Sequence, residues 1–219
     1  MYGHFQEFED EYMETLYEFY EESPLDYVRN GDLAKKLGVK PASATEMVQR
    51  LASKGFLEYV PYKGAKLTKQ GIEYGKKMKR RHRIAEVLLD IIPFDGDPHA
   101  TACRLEHAID DDLDIALDTM LGSPQFDPSG REIPPLSQEL KQKQLGLNQK
   151  MINLSGLREG EKGVISVILA QPEIVSFLSE NGIEIGSSVN LDNGKFMTEN
   201  GQRLELSLEI AKCIMVILE

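Results

Sequence analysis

Cysteine is scarce, with two in 219 residues, Cys103 and Cys213, more than a hundred positions apart. That spacing argues against a disulfide framework. Long apolar runs are missing too. None approaches the roughly 20 residues that span a bilayer. Glu7, Glu9, Asp10 and Glu11 come too early for a signal peptide. The expectation is a cytoplasmic protein in a reducing compartment, where Cys103 stays available as a thiolate. Histidine is also rare, with four in the chain. Three of these, with one of the two cysteines, fall between Arg80 and His107.

That stretch organises the rest of the chain. Two helical segments flank a loop carrying Pro93, Gly96 and Pro98, which are poor in helix interiors. His82 and Glu86 are four apart and share a face of the first helix. His99, Cys103, Glu106 and His107 follow at spacings of four, three and one on a second helix read over about 99–121, so that all four can face one way. Imidazole, carboxylate and thiolate converging on a helix pair suit a divalent transition metal. A surface His–Glu pair and a packing cysteine are the plainer account of each residue taken alone.

The net charge of −11 conceals an asymmetry. Residues 1–28 hold nine carboxylates, and their one candidate cation is His4. Residues 29–83 hold fifteen Lys and Arg against four Asp and Glu, and residues 84–219 hold ten against twenty-three. A basic module between two acidic ones is the footprint of a part that meets DNA.

Residues 6–22 read as an amphipathic helix with Phe8, Tyr12, Thr15, Leu16 and Phe19 on one face and a run of glutamates on the other. Glu11 and Glu14, one turn apart, can supply carboxylates to a nearby metal. Asp32–Val39 reads as a short helix capped by Gly38. Pro41 and the cap candidate Ser43 open a second helix that stops at Gly55. Helix, glycine turn, helix is a helix-turn-helix pattern. Its exposed candidates are Ser43, Thr45, Glu46, Gln49 and Arg50. Phe56–Val60 and Lys66–Thr68 alternate as strands around a turn carrying Lys63, which makes the module winged. A winged module that binds protein instead of DNA is the alternative. A long helix from Lys69 carries Lys76, Lys77, Lys79, Arg80, Arg81 and Arg83, then turns apolar. The apolar faces of residues 84–92 and 102–121 suit a dimer interface or an internal core. Short strands at 164–169, 188–191, 195–197 and 203–208, with a helix over 173–181, read as a small SH3-like β-barrel. Cys213 reads as packing there.

Ser43–Leu51, Tyr62–Thr68, Gly71, Arg81–Glu86 and Ala102–His107 together resemble the diphtheria-toxin-repressor family of metal-dependent regulators, which includes iron-dependent repressors and the manganese transport regulator. The fold this implies is mainly α with a β C-terminal domain. It comprises a winged helix-turn-helix DNA-binding domain over 1–75, a helical metal-binding and dimerisation domain over 76–137, a linker over 138–152 and an SH3-like, FeoA-type domain over 153–219. The resemblance implies two metal sites, hence two Fe(II) or Mn(II) ions per subunit. The primary set is Cys103, Glu106 and His107, with Glu11 followed by Glu14. The ancillary set is His82, Glu86 and His99, completed from Gln171 and Glu173. Glu11 matches the manganese-type pattern and Cys103 the iron type.

The function implied is a homodimeric, DNA-binding repressor of metal-homeostasis genes. Metal docks the first helix and sets the spacing of two winged modules on an operator. Two rival readings remain open. One is a winged-helix regulator that answers to an organic ligand, with a structural cluster. The other is a metalloenzyme, for which the sequence offers no separate general base or substrate pocket.

Overall fold

The computed structural model describes residues 3–92, 94–146 and 151–219, with side chains from Glu7 onward. Pro93, the His4 side chain and residues 147–150 of the expected linker lie outside them. The chain divides into two compact units. One is Met1–Arg83 with Cys103–Ala108 and Ile133–Pro135. The other is Ile84–Ala102 with Ile109–Glu132 and Leu136–Glu219.

The first unit opens with α1 (Gly3–Glu22), whose Tyr12, Met13, Leu16 and Tyr17 are buried at helical spacing. Phe8, expected on that apolar face, is 53% exposed. It sits a turn before the buried stripe begins. Helix α2 (Asn30–Leu37) ends at Gly38, whose φ of 67° is the left-handed cap that glycine reaches without a Cβ penalty. Helix α3 (Pro41–Ser53) has Pro41 in its first turn. Its N-cap is Lys40, in extended conformation and without a side-chain cap, so Ser43 lies inside the helix and does not cap it.

Strands β1 (Leu57–Val60) and β2 (Gly64–Leu67) pair antiparallel, Leu57 opposite Leu67 and Val60 opposite Gly64. Val28 adds a bridge to Ala65, with N–H···O distances of 2.8 and 2.9 Å. The expected helix-turn-helix and wing are both present.

Helix α4 (Lys69–Ile91) starts directly after the wing. Its Gly75 meets the backbone of α1. A Cβ there would lie 2.7 Å from Met13 O and 2.8 Å from Tyr17 Cβ. Only glycine permits so close an approach. Just beyond it, the cations expected on a basic surface turn inward. Lys79, Arg80 and Arg83 are buried. Lys79 Nζ reaches Glu14 at 2.9 Å and also Glu18, Arg83 Nη2 reaches Glu21 at 2.7 Å, and Arg80 donates to Pro134 O at 2.8 Å.

The long helix expected over 99–121 is two helices, α5 (Pro98–Leu105) and α6 (Asp111–Met120). Asp110 causes the break. It is extended, accepts from Leu113 N at 2.9 Å, and is followed by Asp111, Asp112 and Asp114 in the first turn of α6. A carboxylate cap plus acidic residues at the positive helix end favour a new start over continuation. Glu106 and His107 therefore sit in a turn and not on a helix face.

In the second unit, α7 (Gln138–Gly146) buries Leu140 with Leu136 and Ile115. The β region is a six-stranded antiparallel sheet of β3 (Met151–Asn153), β4 (Lys162–Ile168), β5 (Ser188–Asp192), β6 (Lys195–Thr198), β7 (Arg203–Leu204) and β8 (Ile214–Leu218). Its order is β3-β8-β4-β5-β6-β7. Helix α8 (Pro172–Glu180) and α9 (Leu208–Lys212) close over a core that includes Leu154, Ile165, Leu178, Ile183 and Ile214. The strand expected over 203–208 stops after Leu204, because Ser207 caps α9 by accepting from Ile210 N. Cys213 follows α9, its Sγ 3.2 Å from Glu209 O, and burial pushes its thiol up, as suits a packing role. Among the described residues, no helix is long and apolar enough to cross a membrane.

Gly75→Val is expected to destabilise the chain by about 1–3 kcal/mol through overpacking between α1 and α4. A urea-unfolding midpoint equal to that of the unmodified chain would show that the helices do not need this close approach.

Candidate metal centre

The turn after α5 brings Glu106 into the first unit, where it is buried against α1 and α4. His82 Nδ1 lies 2.7 Å from Glu106 Oε2, near enough to share one proton, and 3.5 Å from Glu14 Oε1. Ligand atoms of Glu14, His82 and Glu106 all fall within 4.8 Å of one another. Glu106 Oε1 is buried with no hydrogen-bond partner, which is costly for a carboxylate oxygen. His107 Nε2 lies 3.7 Å from it.

Asp10 holds His107 in place. Its Oδ2 is 3.2 Å from His107 Nδ1, and its Oδ1 accepts from the Tyr74 hydroxyl. Fixing Nδ1 leaves Nε2 turned to Glu106, the arrangement by which a carboxylate orients a metal-binding imidazole. Asp10 was not among the ligand candidates. Its only signal in the sequence is its place in an acidic run, which does not say which carboxylate turns inward. Cys103, on the last turn of α5, is half-buried and in no disulfide.

The electrostatics match the geometry. Burial, reinforced by Glu14, pushes Glu106 up to about 7 despite His82 and His107. Burial also raises the exposed-edge Glu11, against the pull of His107. The hydrogen bond to Asp10 raises His107 against its burial. Glu18 differs. Burial opposes its ionisation, but Lys36 and Lys79 hold it down at about 2. The protein supplies its own cations to Glu14, Glu18 and Glu21. Among the described residues, Glu106 is met only by the imidazoles of His82 and His107. Two carboxylates and an imidazole around one orphaned oxygen fit a divalent ion of hard or borderline character.

Of the remaining expected ligands, Glu86 and His99 belong to the second unit, where His99 Nδ1 is 3.1 Å from Glu86 Oε1. Gln171 and Glu173 are exposed at the start of α8.

Comparison with known proteins gives three consecutive family matches. The iron dependent repressor N-terminal DNA binding domain covers residues 4–65. The iron dependent repressor metal binding and dimerisation domain covers 68–135, and the FeoA domain covers 152–218. The diphtheria toxin repressor of Corynebacterium efficiens is 30% identical over 223 residues, covering 94% of this chain and 93% of that protein. The chain belongs to the diphtheria toxin repressor family. The regulator MntR of Bacillus subtilis is 40% identical over 88 residues, 40% of this chain and 61% of the relative. A solved manganese-dependent transcriptional repressor in complex with manganese covers 96% of this chain, and all of its own chain is covered, at TM-score 0.52 and 24% identity. That likeness shows the shared fold.

As a member of this family, the chain is a metal-dependent, DNA-binding transcriptional repressor and not an enzyme. Its reading head departs from expectation at two positions. Thr45 is half-buried, donating to Pro41 O at 2.9 Å and accepting from Asn30 Nδ2 at 3.0 Å, so it ties α2 to α3. Arg50 is exposed, but its Nε lies 2.8 Å from the buried Glu9, which also holds Lys54 Nζ at 2.6 Å. Ser43, Glu46 and Gln49 stand free of the core on the exposed face of α3. At the wing, Lys63 Nζ sits 3.8 Å over the Tyr27 ring. Beside it, Tyr62 is fully exposed at φ 64°, an uncommon conformation for a bulky residue. A concavity of about 240 Å³ between this tip and the start of α2 is lined by Arg29, Asn30, Tyr59 and Lys63. Nothing in the sequence context of Tyr62 marks it as a DNA candidate.

The raised groups fix how stability depends on pH. Glu106 and Glu11 hold their protons more tightly folded than unfolded, so each stabilises least once ionised. His107 contributes fully below its unfolded value and loses that contribution as pH rises through its raised folded value. Glu18 contributes fully above its ordinary carboxylate range and loses that contribution only in acid, as pH falls toward about 2. The melting temperature of the metal-free chain is therefore expected to fall between about pH 5 and 8, and added divalent ion to raise it more at the upper end. A metal-free melting temperature that climbs across that window would contradict this assignment.

Proposed function

We propose that the chain represses metal-homeostasis genes as a homodimer on an operator, activated by Fe(II) with Mn(II) also competent. The primary site would draw on Glu11, Glu14, Cys103, Glu106 and His107. His82, Glu86 and His99, with Gln171 and Glu173, are the positions the family resemblance gives for an ancillary site. The observation that carries the reading is the buried Glu106 oxygen without a hydrogen bond, faced by a His107 that Asp10 already orients. A divalent ion would supply there the positive charge that Lys79 supplies to Glu14.

The rest follows from the chain's own residues. Helix α1 carries Glu11 and Glu14 toward Glu106, and one turn earlier Glu9 grips Arg50 and Lys54 at the end of α3. Whatever fixes α1 also fixes the helix that enters the major groove. Ser43, Glu46 and Gln49 face base edges there, with Lys63 on phosphate and Arg50 shared between Glu9 and DNA. Thr45 serves from behind by holding α2 to α3. The thiolate of Cys103 is soft and favours Fe(II), whereas the carboxylates accept Mn(II).

The test is operator binding titrated with each metal under anaerobic, reducing conditions. Fe(II) is expected to activate at lower free concentration than Mn(II). Cys103→Glu should narrow or reverse the order. Asp10→Asn should weaken metal affinity by about 10- to 100-fold. Glu106→Gln should lose the metal response while remaining folded. Operator binding that ignores metal would overturn the reading.

The dimer has its own test. Leu113, 42% exposed on α6, is the residue available to a partner, whereas Leu117 is buried within its own unit. Leu113→Glu should sediment as a folded monomer, and Leu117→Glu should unfold. A Leu113→Glu dimer of unchanged affinity would place the interface elsewhere.

A further inference from the structure

Glu86 is already matched with a cation. Its Oε2 lies 2.7 Å from Arg131 Nη2, and its Oε1 lies 3.1 Å from His99 Nδ1. Both oxygens of the carboxylate are engaged. The guanidinium is itself anchored, because Arg131 Nε donates to Asp127 Oδ2 at 2.7 Å. The Asp127 side chain is fully buried. Its Oδ1 accepts from Ser129 N at 2.9 Å, Ser129 Oγ at 2.8 Å and Arg131 N at 2.9 Å. Burial opposes its ionisation, but these bonds hold its carboxyl below the usual range. The loop is a turn built on Asp127 that presents Arg131 to Glu86. All five residues belong to the second unit.

We propose that Arg131 is a tethered cation that takes the place of a second metal ion at Glu86, so that the chain binds one ion per subunit. This rests on the reading of Glu106 as the primary centre and of Glu86 and His99 as the ancillary positions. A divalent ion on Glu86 must displace a charge-assisted bond and sit beside a guanidinium that Asp127 keeps in place. His99, 66% exposed at its side chain, is already turned to the same carboxylate. The effect of the substitution is chemical economy: the carboxylate stays neutralised whatever the metal supply, and only the Glu106 centre responds to it.

The experiment counts metal bound to the full chain after equilibrium dialysis against Mn(II), and anaerobically against Fe(II). The unmodified chain should hold one ion per subunit and lose it in Glu106→Gln. Arg131→Met should hold two, and Arg131→Met with His99→Ala one. Two ions in the unmodified chain, a count that needs no variant, overturn the proposal. So does a folded Arg131→Met that still holds one. An ion that survives Glu106→Gln instead overturns the primary centre, and the proposal with it.

Discussion

The close crossing of α1 and α4 is the constraint on which the first unit depends. Gly75 lets the backbone of α1 approach where any side chain would collide with Met13 O and Tyr17 Cβ. An acidic helix can lie there only because α4 answers it with buried cations. Lys79 is 1% exposed between Glu14 and Glu18, and Arg83 meets Glu21. Buried charges are tolerated when paired and expensive when not. Among the described residues, Glu9, Glu14, Glu18 and Glu21 of α1 each meet Lys or Arg, whereas Glu106, the carboxylate raised to about 7, is met by imidazoles. That gap in the protein's own compensation coincides with the proposed primary metal centre.

The same helix joins that gap to the reading head. Glu9, Asp10 and Glu14 lie within two turns, yet each faces a different partner. Glu9 takes Arg50 and Lys54 of α3, Asp10 takes His107 and Tyr74, and Glu14 takes Lys79 and approaches His82. Coupling between a metal centre and a DNA-binding helix needs an element that both ends bias. In α1 the two ends are neighbouring residues, so no long chain of contacts has to be invoked.

The basic surface is smaller than the charge count implies. Of the cations between residues 29 and 83, Lys79, Arg80 and Arg83 are buried, and Lys36, Arg50 and Lys54 pair with carboxylates of α1. Part of the positive excess neutralises the first helix and part is left for DNA. Arg50 is already paired with Glu9, so its proposed contact with DNA depends on where α1 sits.

Local patterning was enough for the helix-turn-helix, the wing and most of the strands, because Gly38, Pro41 and the alternation around Lys63 act over a few residues. The candidate ligands also stood out, since three of four histidines and one cysteine crowd into one stretch. The break between α5 and α6 was in principle readable from Asp110–Asp112, a capping signal that the apolar periodicity through 99–121 outweighed. Which carboxylate faces which partner was not readable. Glu9, Asp10, Glu11 and Glu14 are chemically alike in a string of letters. Their roles separate only when α3, α4 and the turn at Glu106 converge on α1 from different sides. The same holds for Arg131, forty-five residues beyond Glu86, whose pairing depends on a turn that Asp127 folds. Sequence determined the inventory of ligands, caps and breakers because those are short-range properties of residue type. Tertiary structure decided the pairing of charges, because burial and distance belong to no residue alone.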